Sequence, residues 1–156
     1  MDTCSICRNI EKIKAGQDPY FVREMPTGYV VLSYDQYFKG YTLFMCKQHK
    51  RELFELDKEF RIQFMEDTTT VAQAMTAAFH ADKINYELLG NGDAHLHWHL
   101  FPRRAHDMDE YLEHSRGPVW WLPKEVMYGE KFRPTPEQLE QMKAALRSEL
   151  DKLAGA

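Results

Sequence analysis

The chain has 156 residues, of which 44% are hydrophobic and 28% are charged, and its net charge at pH 7 is −4. This length and composition predict one water-soluble domain, residues 1–156, that is large enough to bury a core. The lack of a basic surplus argues against general nucleic-acid binding.

The sequence also argues against membrane association. No stretch approaches the roughly 20 apolar residues that span a bilayer, and the first residues lack the basic start and apolar run of a secretory signal. The three cysteines are an odd number, which fits a reducing compartment better than a disulfide framework. We therefore expect a cytoplasmic protein.

An N-terminal C-x-x-C pair, Cys4 and Cys7, opens a short helical pattern that stops near Gly16. Such a pair suits either zinc binding or thiol redox chemistry. The redox interpretation requires a strand before the pair, and we expect none in the three residues that precede Cys4, so zinc is favoured. A pair supplies only two ligands, and two more must come from elsewhere in the chain.

Three strand-like runs follow, at residues 20–24, 29–34 and 41–46. Their connections are too short for helical crossovers, so antiparallel pairing is expected. From residue 52 to about residue 81, apolar side chains recur at helical spacing and predict the main helix, with a break near Asp57.

Another strand is predicted at residues 84–89, and Asn91 and Gly92 come after it. An Asn-Gly pair between two strands is a strong signal for a tight hairpin turn. Such a turn brings backbone N–H groups together, where they face either a phosphate or only solvent.

The next strand carries a row of histidines. His95, His97 and His99 alternate with Leu96, Trp98 and Leu100. Alternation of this kind is typical of a half-buried strand, so the three imidazoles should share one face. One metal held by all three is unfavourable, because the backbones of the first and third histidines would lie about 13 Å apart. We expect the three rings to have different tasks.

The pattern His-φ-His-φ-His-φ-φ resembles the motif of the histidine triad family of nucleotide hydrolases and transferases. The resemblance runs from Cys4 to Arg103, and the ending Pro102-Arg103 is similar to the branch of dinucleoside polyphosphate hydrolases. It implies an α+β fold, with an antiparallel sheet of about five strands and one main helix packed on it. The core would span residues 4–103, and residues 104–156 would form a C-terminal helical extension.

The resemblance also implies roles for site residues. His97 would be the nucleophile that attacks the α-phosphate, and His99 would hydrogen-bond the transferring group or help to protonate the leaving group. Many family members carry a glutamine at the position of Asn91, so this residue and its neighbour Gly92 are expected to contact phosphate. A ribose contact is expected from Ser33 or Asp35, and we assign it to Asp35.

Zinc-bearing members of the family share the metal of their C-x-x-C pair with two histidines. The resemblance therefore implies a structural zinc held by Cys4, Cys7, His49 and His95. It also implies a homodimer that joins its subunits through the main helix and a strand.

The stretch after Arg103 carries an aromatic segment, residues 117–123, which either stacks on a nucleobase or packs against protein. Packing is favoured. Thr135 and Pro136 then predict the start of a last helix that runs to about Leu153.

Three functional hypotheses remain open at this stage. The first is a hydrolase of dinucleoside polyphosphates or related nucleotidyl compounds, adenosine-type nucleotides being favoured, with nucleoside phosphoramidase as its enzymatic rival. The second is a zinc-stabilised nucleotide-binding protein with little catalysis. The third is an enzyme with a catalytic metal on the histidine row.

Overall fold

Five strands form one antiparallel sheet in the computed structural model, which describes residues 4–155. They are β1 (Phe21–Glu24), β2 (Gly28–Leu32), β3 (Thr42–Cys46), β4 (Lys83–Leu88) and β5 (His97–Arg103). Their order across the sheet is β1-β2-β3-β5-β4, so β1 and β4 are the edge strands. The sheet and the helix packed on it confirm the expected α+β fold.

Two long helices cover one face of the sheet and a shorter helix lies on the other. The helices are α1 (Ser5–Lys14), α2 (Lys58–Phe79), α3 (Lys124–Met127) and α4 (Pro136–Ala154), and short 3₁₀ turns lie at Leu53–Glu55, Glu113–Ser115, Val119–Trp121 and Glu130–Phe132. Within residues 4–155, no helix is long and apolar enough to cross a membrane.

The largest core lies between the sheet and the long helices α2 and α4. Alternate residues of the strands point to this side, including the apolar members of the histidine strand, Trp98 and Leu100. From α2, Phe64, Val71 and Met75 meet them at helical spacing, as the apolar stripe of the sequence predicts. The predicted break also occurs, because α2 begins after Asp57 and only a 3₁₀ turn precedes it.

The opposite face of the sheet carries His97 and His99. Two separate apolar clusters cover its ends. At one end, α1 packs Ile6 and Ile10 against β2 and β3. At the other end, the segment after β5 packs Met108 against Phe101, Tyr41 and neighbouring residues. The two histidines therefore lie between covered ends.

Helix α4 begins where the sequence predicts. The Thr135 side chain accepts a hydrogen bond from the Gln138 backbone, and the Gln138 side chain accepts one from the Thr135 backbone. This reciprocal pair is a capping box, and Pro136 occupies the first helical position, where its missing N–H does no harm.

Cationic side chains of α4 hold the helix against the edge strand β1. Lys143, although buried, donates from Nζ to the Pro19 carbonyl at 2.6 Å. The Arg147 guanidinium donates to the carbonyls of Phe21, at 3.0 Å, and Val22, at 2.8 Å. The carbonyl groups of Pro19, Phe21 and Val22, at and just before the start of β1, are thus hydrogen-bonded to side chains of α4.

The predicted tight turn between β4 and β5 is wrong, although the two strands do pair antiparallel. Residues 89–96 connect them, which is longer than a two-residue turn. A type I′ turn needs positive φ at both central residues, and neither Asn91 nor Gly92 has a positive φ. Non-local contacts of this connection, described below, determine its path instead.

Candidate functional site

Four potential metal ligands meet where α1, β3 and β5 come together. Cys4 and Cys7 stand at the start of α1, His49 follows β3, and His95 precedes β5. The Cys7 Sγ lies 3.1 Å from Nδ1 of His49 and 3.4 Å from Nδ1 of His95, and all four ligand atoms lie within 4.8 Å of one another. Ligands of a tetrahedral zinc, bound at about 2.0–2.3 Å, are separated by distances of this order. The four residues therefore fit a closed metal site.

The orientation of His95 is set by a second hydrogen bond. Its Nε2 lies 2.8 Å from the Cys46 carbonyl oxygen, which can only accept, so Nε2 carries the proton and donates. The unprotonated Nδ1 then faces the thiols, as a metal ligand must. Burial lowers the pKa of His95, which favours the neutral ring that this arrangement needs.

Asp93 ties the connection before the histidine row to the first turn of α1. Its carboxylate accepts hydrogen bonds from the Ser5 backbone, at 2.8 Å, and from the Ser5 hydroxyl. Helix N-termini favour such negative groups. The pairing keeps the start of β5 beside Cys4 and Cys7.

The ring of His97 is held by the backbone of the preceding histidine. Its Nδ1 lies 2.6 Å from the His95 carbonyl oxygen, and the residue is only 7% exposed. Because a carbonyl oxygen accepts only, Nδ1 must carry the proton when the ring is neutral. The lone pair of Nε2 is then free to act as a nucleophile.

His99 has a different partner, the hydroxyl of Tyr41. The Tyr41 oxygen lies 2.5 Å from Nδ1 of His99. The His99 ring also makes an edge-to-face contact with the His97 ring, at 4.8 Å between centroids. Burial, reinforced by the nearby His97, lowers the pKa of His99 to about 4, so this ring is neutral at pH 7.

The aromatic segment of residues 117–123 reaches the site through Trp120. Its indole N–H donates to the Glu87 carboxylate, and Glu87 stands directly opposite His99 in the β4–β5 register. The indole ring also meets His99 and Phe101 edge to face, at 5.4 and 5.5 Å between centroids. Trp120 therefore packs within the chain, as favoured from the sequence, whereas Trp121 is 66% exposed.

Asp35 lies buried beside the end of β2, with 4% of its surface exposed. Its Oδ1 has no hydrogen-bond partner among residues 4–155, and the nearest cation, Nε of Arg133, is 3.9 Å away. Burial raises the pKa of this carboxyl, and Arg133 only partly offsets the rise. The other ribose candidate, Ser33, accepts a hydrogen bond at 3.3 Å from the Asp35 backbone N–H. Of the two ribose candidates, Asp35 is therefore the one whose side chain has an acceptor atom, Oδ1, without a hydrogen-bond partner in the described part of the chain.

Asn91 and Gly92 are both exposed, in the connection of residues 89–96. A Cβ atom added to Gly92 would meet no other atom within 4 Å, so no protein group in this structure requires glycine there. Their predicted contacts with phosphate stay a prediction.

Both arginines at the end of β5 form hydrogen bonds within the protein. Arg103 forms a two-pronged pair with Asp107, at 2.8 and 2.5 Å. Arg104 donates to the carbonyls of Lys39 and Phe79. These bonds anchor the segment after β5 rather than leaving both guanidinium groups available for a ligand.

Two residues of the site, Tyr41 and Glu87, were not singled out from the sequence, whereas Trp120 belongs to the aromatic segment of residues 117–123 that was. Alternation along residues 41–46 could have placed Tyr41 on one face with Leu43. Its contact with His99 depends on the pairing of Leu43 with His99 across β3 and β5, and a local pattern does not reveal register.

The family model for the HIT domain matches residues 16–106, which is more than half of the chain. No curated protein matches the sequence.

Solved structures of histidine triad proteins share this fold. The protein from Bradyrhizobium japonicum is 24% identical, with a TM-score of 0.70 over 88% of this chain and 94% of its own. A zinc-bound histidine triad family protein from Mycobacterium smegmatis is 23% identical, with a TM-score of 0.64 over 98% and 96%. The diadenosine triphosphate hydrolase of Plasmodium falciparum is 14% identical, with a TM-score of 0.59 over 86% and 78%. At these identities the structures establish the fold alone, whereas the sequence match assigns the family. The chain belongs to the HIT domain family.

Proposed function

We propose that this protein hydrolyses a dinucleoside polyphosphate or related nucleotidyl compound at its α-phosphate, through a covalent nucleotidyl-His97 intermediate. Membership of the HIT domain family supports nucleotide binding or hydrolysis. The fold shared with a diadenosine triphosphate hydrolase supports the hydrolase branch and an adenosine-type substrate.

The observation that carries the proposal is the hydrogen bond from Nδ1 of His97 to the His95 carbonyl oxygen. It leaves the Nε2 lone pair of His97 free for attack on phosphorus. In the first step a P–N bond forms, the P–O bond to the leaving phosphate breaks, and the leaving group takes the bonding electrons. In the second step water attacks the same phosphorus, the P–N bond breaks and its electron pair returns to Nε2. The proton of the water passes to solvent as the nucleoside monophosphate leaves.

The other predicted residues would hold the substrate. Asp35 would accept hydrogen bonds from the ribose through its unused Oδ1. Asn91 and Gly92 would contact phosphate, and the connection of residues 89–96 would then lie over the polyphosphate. His99, being neutral at pH 7, would hydrogen-bond the transferring group.

Zinc would occupy the cluster of Cys4, Cys7, His49 and His95 in a structural role. Two thiolates and two imidazoles complete a tetrahedral set with no open position. When bound, the metal would cross-link α1, the end of β3 and the start of β5, while the reaction itself uses the histidines beyond it.

We also propose that residues 1–156 act as one domain in the cytoplasm and form a homodimer. The three cysteines, all within residues 4–155, form no disulfide bond, which fits a reducing compartment. Cell fractionation would test the cytoplasmic location. Ile62 and Met65 of α2 and Tyr86 of the edge strand β4 expose large apolar side chains. Sedimentation velocity would report twice the chain mass of 18.4 kDa for a dimer and the single mass for a monomer.

Intact-mass measurement tests the proposed reaction. Wild-type protein and His97→Ala would each be mixed with diadenosine tetraphosphate and quenched without acid, since P–N bonds are acid-labile. The proposal expects a nucleotidyl adduct and turnover in wild type and neither in the variant. His80→Asn, which changes an exposed histidine outside the site, serves as the control and should behave as wild type.

The same assay separates the rival functions. Faster turnover of an adenosine phosphoramidate than of the polyphosphate would favour a phosphoramidase. Nucleotide binding with no adduct and no turnover would reject the hydrolase and leave a binding protein. Loss of turnover on metal removal, with the fold unchanged, would instead favour a catalytic metal.

A further inference from the structure

Both the backbone and the ring of Tyr41 are held in place. The Tyr41 backbone N–H donates to the Phe38 carbonyl at 2.8 Å, and the Tyr41 carbonyl accepts from the Ser33 N–H and the Gln36 side chain, both at 2.9 Å. Its ring stacks on Phe101 at 4.2 Å between centroids and is buried. The hydroxyl therefore has little freedom to leave the Nδ1 atom of His99.

The direction of this hydrogen bond follows from the chemistry of the two groups. Burial raises the pKa of Tyr41 well above its usual value, so the phenol keeps its proton, and the lowered pKa of His99 keeps the imidazole neutral. A phenol O–H is a stronger donor than an imidazole N–H, and an imidazole nitrogen is a stronger acceptor than a phenol oxygen. The Tyr41 hydroxyl thus donates to Nδ1, and the ring proton of His99 is on Nε2.

The carboxylate nearest in the sheet does not compete for His99. Glu87 faces His99 across β4 and β5, but its Oε2 accepts from the Trp120 indole. Trp120 meets the His99 ring edge to face and fills the space beside it. Among residues 4–155, the hydroxyl of Tyr41 is the side-chain group that hydrogen-bonds a ring nitrogen of His99.

Two neighbouring histidines are consequently held in opposite tautomers. His97 donates from Nδ1 to a carbonyl and leaves Nε2 bare. His99 accepts at Nδ1 from Tyr41 and keeps its proton on Nε2. Their ring centroids are 4.8 Å apart. The row thus presents a lone pair and an N–H donor side by side, which is what nucleophilic attack on an anionic phosphoryl group requires.

We propose that Tyr41 is a positioning residue that fixes His99 as an Nε2–H donor to the oxygen of the phosphoryl group under attack by His97. This inference rests on the proposed hydrolase function for the phosphoryl step. The tautomer of His99 is independent of that function and can be measured without any substrate.

Nitrogen-15 NMR of the histidine rings provides the first test. In the full-length protein as purified, the inference expects a protonated Nε2 and an unprotonated Nδ1 for His99, and the reverse for His97. Tyr41→Phe keeps the stacked ring and removes the hydroxyl, so the His99 resonances should move toward a mixture of tautomers. Addition of AMP as a probe should shift the Nε2 resonance of His99 in wild type.

A wild-type His99 with its proton on Nδ1 would overturn the inference, as would a Tyr41→Phe protein with an unchanged tautomer. An Nε2 resonance that does not respond to AMP would overturn the donor role. These outcomes are distinct from failure of the hydrolase proposal, which would appear as missing turnover and a missing His97 adduct.

Steady-state kinetics provides the second test. Loss of the fixed tautomer should lower kcat about ten- to a hundredfold with little change in KM, because the contact matters most when charge develops on the phosphoryl oxygens. Tyr37→Phe is the matched control, since Tyr37 lies in the same loop and its hydroxyl donates to the Asp107 carbonyl. Circular dichroism and thermal unfolding would establish that both variants fold. A folded Tyr41→Phe enzyme with the kcat of the control would contradict the inference.

Discussion

His95 contacts both halves of the site at once. Its ring directs Nδ1 toward the thiols of the candidate metal site, while its carbonyl oxygen accepts a hydrogen bond from Nδ1 of His97 at 2.6 Å. The same residue therefore couples the position of the proposed nucleophile to the cluster of Cys4, Cys7 and His49. A change that loosens the cluster should affect both folding and the orientation of His97.

Loss of a cysteine ligand should reveal this coupling. Cys7→Ser should abolish binding of one equivalent of zinc and lower the unfolding temperature by about 10 °C or more, because metal-binding energy contributes to folding. Atomic absorption and thermal unfolding with and without chelator would measure both effects. Cys46→Ala is the control, since Cys46 is buried outside the cluster and its replacement should keep the metal. Full metal content in Cys7→Ser would contradict the assignment.

Acid should destabilise the fold partly through His99. The pKa of this ring is about 4 in the folded chain because of burial, compared with about 6.5 when unfolded. Between these values only the unfolded chain binds the proton, so the contribution is fully present above about pH 6.5 and is lost as the pH falls toward 4. The shift corresponds to about 3 kcal/mol at most.

Urea unfolding at pH 7 and at pH 4.5 would measure this effect. The free energy of unfolding of wild type should fall more steeply over that interval than that of His99→Gln. His80→Asn should keep the wild-type slope, because it changes an exposed histidine in a left-handed conformation that asparagine also adopts. Equal slopes for wild type and His99→Gln would contradict the prediction.

Removal of the Trp120 indole N–H should leave the Glu87 carboxylate without its donor. We expect Trp120→Phe to lower the free energy of unfolding by about 1–3 kcal/mol, the usual effect of stranding a partly buried polar group. The control is Trp121→Phe, the same change at the exposed neighbour, which should lower the free energy of unfolding by less than about 0.5 kcal/mol. Similar losses for the two variants in chemical denaturation would argue against the Trp120–Glu87 bond.

The ribose assignment predicts a selective loss of affinity. Asp35→Ala should raise KM for a ribonucleotide substrate about ten- to a hundredfold, because a charged hydrogen-bond acceptor is removed. The 2′,3′-dideoxy analogue should bind wild type and the variant equally weakly. Ser33→Ala tests the other candidate and should have the smaller effect. A larger rise in KM for Ser33→Ala would transfer the ribose contact to Ser33.

Local patterns were sufficient for much of the architecture. The alternation around His97 predicted a strand with one polar face, and the apolar spacing after Asp57 predicted α2, because both signals depend only on neighbours in the chain. Thr135 and Pro136 marked the start of α4 for the same reason. The cluster of Cys4 with His95 came from resemblance, since no local rule joins residues so far apart.

Non-local geometry accounts for what the sequence did not reveal. The Asn91-Gly92 signal failed because Asp93 bonds Ser5 at the start of α1, so the connection follows a long-range contact rather than a tight turn. The pairing of Tyr41 with His99 depends on strand register, which a single sequence does not specify.

The cations of α4 have a consequence for assembly. Lys143 and Arg147 donate to the carbonyl oxygens of Pro19, Phe21 and Val22, at and just before the start of β1, and a foreign strand would need free carbonyl oxygens there for pairing. A second copy that added its own β4 edge-to-edge would use up that edge on both sheets. Further growth would then have to use the β1 edges, where these three acceptors are already hydrogen-bonded. These hydrogen bonds therefore oppose the addition of a further strand at the start of β1, and with it the open-ended growth of the sheet in that direction.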